Sequence, residues 1–294
     1  MNDVTSATTI DRLPFRLSEH GDAGEARTKF PSFLTDVFER AWPPPGWIER
    51  VRSGAAVVLV RQSEWRSWLG DARALLDDEE LARVERRRRP GDRDSLVLAY
   101  SLHRLLLSTL LGIAPARVPI GRDEKGCPRL PDNRFWTSLS HGDEHLAFSF
   151  SGMGPVGVDI ECSARAAELP GILERLCAPR EAMLASLLDD PARADWLLAL
   201  WVRKEAFLKA AGIGMERGME TFEAADGAVL RLPWDQQQSR QAHVQLSSLQ
   251  SGEDCVAAVA TVAGVPLVGH WLNPGSFAPV RTTHGEAGAA GKCR

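Results

Sequence analysis

Between residues 55 and 61 the chain reads AAVVLVR, a short run rich in β-branched residues that predicts a strand. The period then changes. DARALLDDEELARVERR (71–87) and DSLVLAYSLHRLLLSTLLGI (94–113) set apolar residues three and four apart, which predicts two helices. A turn-rich, basic segment, GRDEKGCPRLPD, follows, and FWTSLSH and HLAFSFSG then predict two strands around a tight corner. After SGMGP the order begins again: a strand over 156–161, helices over about 170–190 and 192–211, and strands near 228–232, 242–247, 255–262 and 267–271.

Each half thus runs from helices into antiparallel-looking strands, although no letter-by-letter repeat is visible. The expected fold is α+β, two similar halves forming a pseudo-two-fold monomer with a cleft between them. The seam falls at 152–155, which gives an N-terminal half over 46–153 and a C-terminal half over 154–274. Residues 1–45 lack sustained periodicity and end in WPPPGW, whose prolines exclude a helix interior or a central strand, so an extension or lid is expected there. The small, polar residues of 275–294 are expected to form a flexible tail.

Charge narrows the function. With 35 basic and 39 acidic side chains among 294 residues, the net charge of −4 supplies no global attraction to nucleic acid or an acidic membrane. The expectation is no nucleic-acid or membrane partner. No apolar run could span a bilayer and the first thirty residues hold no apolar signal core, so a cytoplasmic protein is expected. Five scattered cysteines lack C-x-x-C or zinc-ligand spacing and are expected to be reduced and non-ligating. One local exception to the charge balance is RVERRRRPGDR (83–93), with six arginines. It reads either as a solvated helix end or as a phosphate-capturing patch; a nucleic-acid surface would interleave aromatics.

GVDIE, residues 157–161, carries the sharpest chemistry. Alternation sends Val158 and Ile160 to one face and Asp159 and Glu161 to the other, their side chains roughly 6–7 Å apart. A solvated edge strand would tolerate that repulsion; a hard divalent cation would use it. Further along, WVRKEAFLKAAG (201–212) sets Trp201, Glu205 and Lys209 at successive i, i+4 steps on one helix face. A surface ion pair worth about 0.2–0.5 kcal/mol is the simple reading. Leu198 and Trp201 on the same face ask for burial, which puts Glu205 and Lys209 at the rim of a seam.

GVDIE followed some forty residues later by W-x-x-K-E-A-x-x-K-A-x-G, with KGCPRLP and SLSH upstream in order, resembles the Sfp-type 4′-phosphopantetheinyl transferases over about residues 55–270. The resemblance implies an enzyme that moves the phosphopantetheine arm of coenzyme A onto a serine of an acyl, polyketide or peptidyl carrier protein, releasing adenosine 3′,5′-bisphosphate. By position, Asp159, Glu161 and Glu205 would ligate Mg²⁺ or Mn²⁺. Glu181 would serve as general base and Lys209 would meet the pyrophosphate. Coenzyme A would be held by Arg83, Arg122, Lys125, Gly126, Pro128, Ser140, His141, Lys204 and Lys209. Cys127 stands where many relatives carry a basic residue, and Ser95 where some carry arginine; Arg93 and the 86–89 run are the expected substitutes. Cys127 also suggests the alternative of a non-catalytic carrier-protein or coenzyme A binding module.

Overall fold

In the computed structural model, which describes residues 33–123, 126–131, 134–214, 218–233 and 243–283, the run AAVVLVR lies at the middle of a sheet. The first half forms helices α1 (Leu34–Ala41) and α2 (Trp47–Ser53), strand β1 (Ala55–Arg61), and helices α3 (Leu69–Arg73), α4 (Asp78–Glu85) and α5 (Pro90–Leu111). Strands β2 (Gly121–Arg122), β3 (Pro128–Arg129), β4 (Trp136–His141) and β5 (His145–Ser151) follow. The second half has β6 (Val156–Cys162), α6 (Leu173–Leu176), α7 (Pro179–Ser186), α8 (Asp190–Ala211), then β7 (Val229–Arg231), β8 (His243–Leu249), β9 (Cys255–Val262), β10 (Leu267–Asn273) and β11 (Ser276–Val280).

The architecture is α+β. One large sheet runs β11-β10-β1-β5-β4, antiparallel except for β1 beside β10; a second large sheet runs β6-β9-β8-β7, and β2 and β3 pair as a separate short ribbon. The sheets meet face to face, and this explains the unbroken apolar run of β1. Ala56, Val58 and Val60 pack against the N-terminal helices, while Val57 and Leu59 enter a second core shared with Val158, Ile160, Ala257 and Val259 of the other sheet. A strand covered on both faces has no polar side. On the outer face of the second sheet, Ala258 and Ala260 pack with α8. Among the described residues no helix is long and apolar enough to cross a membrane.

GVDIE is now legible residue by residue. Val158 and Ile160 point into the inter-sheet core, so Gly157, Asp159 and Glu161 face the side of α8. The crossing is close: a Cβ on Gly157 would lie 2.0 Å from the Ala206 carbonyl oxygen and 2.4 Å from the Ala210 nitrogen. Gly157→Ala is expected to cost more than the ~1–3 kcal/mol of ordinary overpacking, because backbone atoms, not flexible side chains, occupy the space. Urea denaturation reads this as a lower midpoint; an unchanged midpoint would mean that helix and strand do not touch there.

Several boundaries differ from expectation. The helix expected over 71–87 is broken after Arg73, and Asp77 restarts it by accepting the Glu80 amide at 2.9 Å as an N-cap. The helix expected over 170–190 breaks before Pro179, which opens α7. Within the expected extension, Leu34, Val37, Phe38, Ala41 and Trp42 are buried core. Within the expected tail, residues 276–280 form β11, and β10 crosses over to complete the first half's sheet. The long helices α5 and α8 match in build: each has 22 residues, a proline in the first turn, and a left-handed glycine cap, Gly112 at φ 69° and Gly212 at φ 65°.

Candidate active site

Where α8 crosses β6, four titratable side chains meet. Asp159 is 3% exposed; its Oδ1 accepts the Ser140 hydroxyl and the Lys209 ammonium, each at 2.7 Å. Its Oδ2 is buried without a hydrogen-bond partner among the described residues. Burial, then repulsion from Asp159 and more weakly from Glu205, pushes the Glu161 carboxyl up to about 7, against the pull of Arg165 and Lys209. Burial first and Asp159 second also raise Glu205. Arg165 pairs with Glu161 and lies over the Trp201 ring at 4.5 Å. The three carboxylates are near enough to repel but not drawn tightly together. Among the described residues, the set of three His, Cys, Asp or Glu donors within 4.8 Å of one another is a different one, His145, Asp254 and Cys255.

These residues fit a hard divalent cation. It would satisfy the bare Asp159 oxygen and relieve a repulsion that burial makes costly. The sign of the pH effect follows. Alone, the raised Glu161 pKa favours the fold fully below the ordinary value of 4.5, and that contribution is lost as pH rises through about 7. A cation competes with the same proton, so Mn²⁺ titrated at pH 6 and pH 8 should bind more tightly at pH 8. Glu161→Gln should flatten the difference, and equal affinities in the unaltered protein would separate Glu161 from the cation.

Beside the carboxylates opens a cavity of about 440 Å³ whose polar walls are Arg83, Arg87, Arg122, His141, Glu205 and Lys209. Arg122 is the most constrained of these. Its guanidinium stacks on Tyr100 at 4.1 Å and donates to the Gly126 carbonyl at 3.3 Å, while Nε and Nη2 remain buried without hydrogen-bond partners among the described residues. Glu80 is a distant counter-charge at 3.9 Å. Buried N–H groups that lack acceptors, on an arginine of the cavity wall, favour an anion beside them. Although the His141 ring stays open to the cleft, desolvation by the cleft walls lowers its pKa to about 4, helped by Lys209, Arg87 and Arg122, so the ring is neutral near pH 7. Gly126, at φ 83°, and Pro128 complete the wall, and a left-handed glycine lets the backbone approach closely.

Besides Asp159 and Glu161, which sit behind the cavity wall, three expected site residues are not presented to the cavity. Ser140 is buried and spends its hydroxyl on Asp159, so it positions that carboxylate and is not free to grip a ligand. Lys204 is fully buried on the opposite flank of α8, bonded to Glu181 at 2.5 Å and to the carbonyls of Leu176, Met219 and Phe222 at 2.7–2.8 Å. Glu181, only 4% exposed, also accepts the amides of Ala178 and Ala224 at 2.9 and 2.7 Å, which leaves neither oxygen for a substrate proton. Both belong to a buried brace between α7 and α8. Lys125 lies outside the described residues. Of the arginine run, Arg87 turns into the cavity, while Arg93 lines a separate one. Arg165 was missed because no periodicity links a strand end to the 3-10 turn that follows it.

The fold and site together define an α+β protein with a cleft that is acidic at one wall and basic at the other. A family model described as the 4′-phosphopantetheinyl transferase superfamily matches residues 155–260. The transferase HetI of Nostoc sp. is 31% identical over 204 residues, 67% of this chain and 83% of that protein. Slr0495 of Synechocystis sp., provisionally named for the same activity, is 31% identical over 149 residues, 50% of this chain and 61% of that protein. A 4′-phosphopantetheinyl transferase of Bacillus subtilis is 29% identical over 135 residues, 41% of this chain and 57% of that protein. The chain belongs to the 4′-phosphopantetheinyl transferase superfamily.

Proposed function

We propose that this protein transfers the 4′-phosphopantetheine arm of coenzyme A to a serine of an apo carrier protein of acyl, polyketide or peptidyl type, with Mg²⁺ bound, and releases adenosine 3′,5′-bisphosphate. One observation carries the reading: a single cleft is lined by Glu205 and Lys209, the latter bonded to the buried Asp159, and also by Arg83, Arg87 and Arg122, which suits a ligand that brings both a cation and phosphates.

Asp159, Glu161 and Glu205 would hold the ion, which when bound neutralises charge on the pyrophosphate as the phosphoanhydride bond breaks. Lys209, fixed by Asp159, adds an ammonium for the developing negative charge. Neutral His141 donates a hydrogen bond to a phosphate oxygen. Arg83, Arg87 and Arg122 receive the 3′-phosphate and adenine end, with Arg87 taking the place that Cys127 leaves without a cation. Of the three carboxylates Glu205 lines the cavity; with all three holding the ion, the serine proton passes to a water of the cleft.

The test is to incubate the protein with coenzyme A, Mg²⁺ and a panel of apo carrier proteins and to read intact mass. One phosphopantetheine added to a carrier, abolished by chelator, supports the reading. Coenzyme A bound without transfer to any carrier in the panel would overturn it.

A further inference from the structure

On the reverse side of β6 from the cleft, within the layer between the sheets, His145, Asp254 and Cys255 converge, one donor atom of each lying within 4.8 Å of the others. His145 opens β5 of one sheet; Cys255 begins β9 of the other, and the half-exposed Asp254 directly precedes it. The histidine is 3% exposed, yet neither ring nitrogen has a hydrogen-bond partner among the described residues, and Nε2 stops 3.4 Å from Asp254 Oδ2. An imidazole buried with Nδ1 unpartnered and Nε2 met only loosely by Asp254 is costly and suits a ligand. Cys255 is 2% exposed and gives its thiol proton only to the Ser251 carbonyl, a weak bond at 3.3 Å.

A fourth donor stands opposite. Cys162 is the register partner of Cys255, and directly opposed residues on antiparallel strands project from the same face. Along β6 the alternation that sends Val158 and Ile160 into the inter-sheet layer sends Cys162 there too. Arg61 grips Asp254 Oδ2 at 2.6 Å, which orients the carboxylate as an outer partner of a metal ligand does.

The geometry points to a second metal site, separate from the cleft carboxylates, in which His145, Asp254, Cys255 and Cys162 bind one zinc-type divalent ion. Nitrogen, oxygen and two sulfurs form a borderline-soft, four-coordinate set, unlike the all-oxygen set of the cleft. Tetrahedral zinc wants neighbouring donors about 3.6 Å apart, so the ends of His145, Asp254 and Cys255 need move only about an ångström, and Cys162 joins them by turning its side chain toward its register partner. As each zinc–sulfur bond forms, the thiol proton goes to solvent. The ion would clamp β5, β6 and β9 immediately behind Glu161, the residue before Cys162, without taking part in transfer.

The full-length protein, stripped by chelator and dialysed against Zn²⁺ alone, should retain one equivalent, and Co²⁺ in its place should give a thiolate-to-cobalt charge-transfer band. Cys255→Ser, Cys162→Ser and Asp254→Asn should each weaken binding by more than about 100-fold, beyond the loss of an outer partner. Asp159→Asn with Glu205→Gln should leave the band intact. Absence of the band in the unaltered chain, or unchanged affinity in Cys255→Ser, would overturn the proposal. The band is read without any substitution and without coenzyme A, so neither a misfolded variant nor a failed transfer assay decides the outcome.

Discussion

Asp159→Asn is expected to lower phosphopantetheine transfer by roughly 10²–10³-fold or more, the scale of losing one preorganised electrostatic contact, while leaving the protein folded. Asparagine keeps the size of the side chain and an oxygen for Ser140. It removes the charge that anchors Lys209 and, on the proposed reading, half of the β6 contribution to the cation site. The same change removes the repulsion that raises Glu161 and Glu205, so both carboxyls should titrate lower than in the unaltered protein. Mass spectrometry of the carrier gives the first readout and carboxyl NMR titration the second. Undiminished transfer would remove Asp159 from the chemistry. An unchanged Glu161 titration would show that the two acids do not share a site.

Glu181→Ala is expected to act on stability. The Glu181–Lys204 pair is buried, and breaking such a pair typically costs about 3–5 kcal/mol because the remaining charge stays behind uncompensated. Burial already lowers the Lys204 pKa, with Glu181 pulling it back up, so the variant loses what keeps the ammonium charged. Three carbonyl acceptors soften the loss. At about 2–4 °C per kcal/mol for a domain of 150–250 residues, the melting temperature should fall by roughly 6–20 °C, toward the lower end in this longer chain. The folded fraction should still bind coenzyme A. The opposite result, an unchanged melting temperature with transfer abolished in Glu181→Gln, would return Glu181 to the role of general base.

Strands and the acidic pair of β6 were readable because their signals are local. β1 announces itself through β-branched residues, and strict alternation in GVDIE already separates the core pair from the acidic pair. The i, i+4 spacing of Glu205 and Lys209 put both on one helix face, and both line the cleft wall. What escaped was long-range. Nothing in LVGHWLN says that β10 pairs in parallel with β1 rather than within its own half, since both partners are equally apolar. The acid in PREAMLAS and the lysine in VRKEAF sit beside motif residues, yet their burial is fixed by an element 23 residues away. His145, Cys162 and Asp254–Cys255 have no ligand-like spacing, because two sheets, not one loop, bring them together. The helix breaks at Asp77 and Pro179, by contrast, were legible as cap and proline signals within runs that periodicity alone joined.

The crossover of β10 also makes the two halves inseparable. With β10 and β11, the last described strands, completing the sheet that holds β1, a gene divided at the seam would encode one fragment with a bare sheet edge and another with two orphan strands. Nascent chain leaving the ribosome therefore holds β1 with no partner on its β10 side until residues 267–273 have been made, and a pairing over so long a separation slows folding.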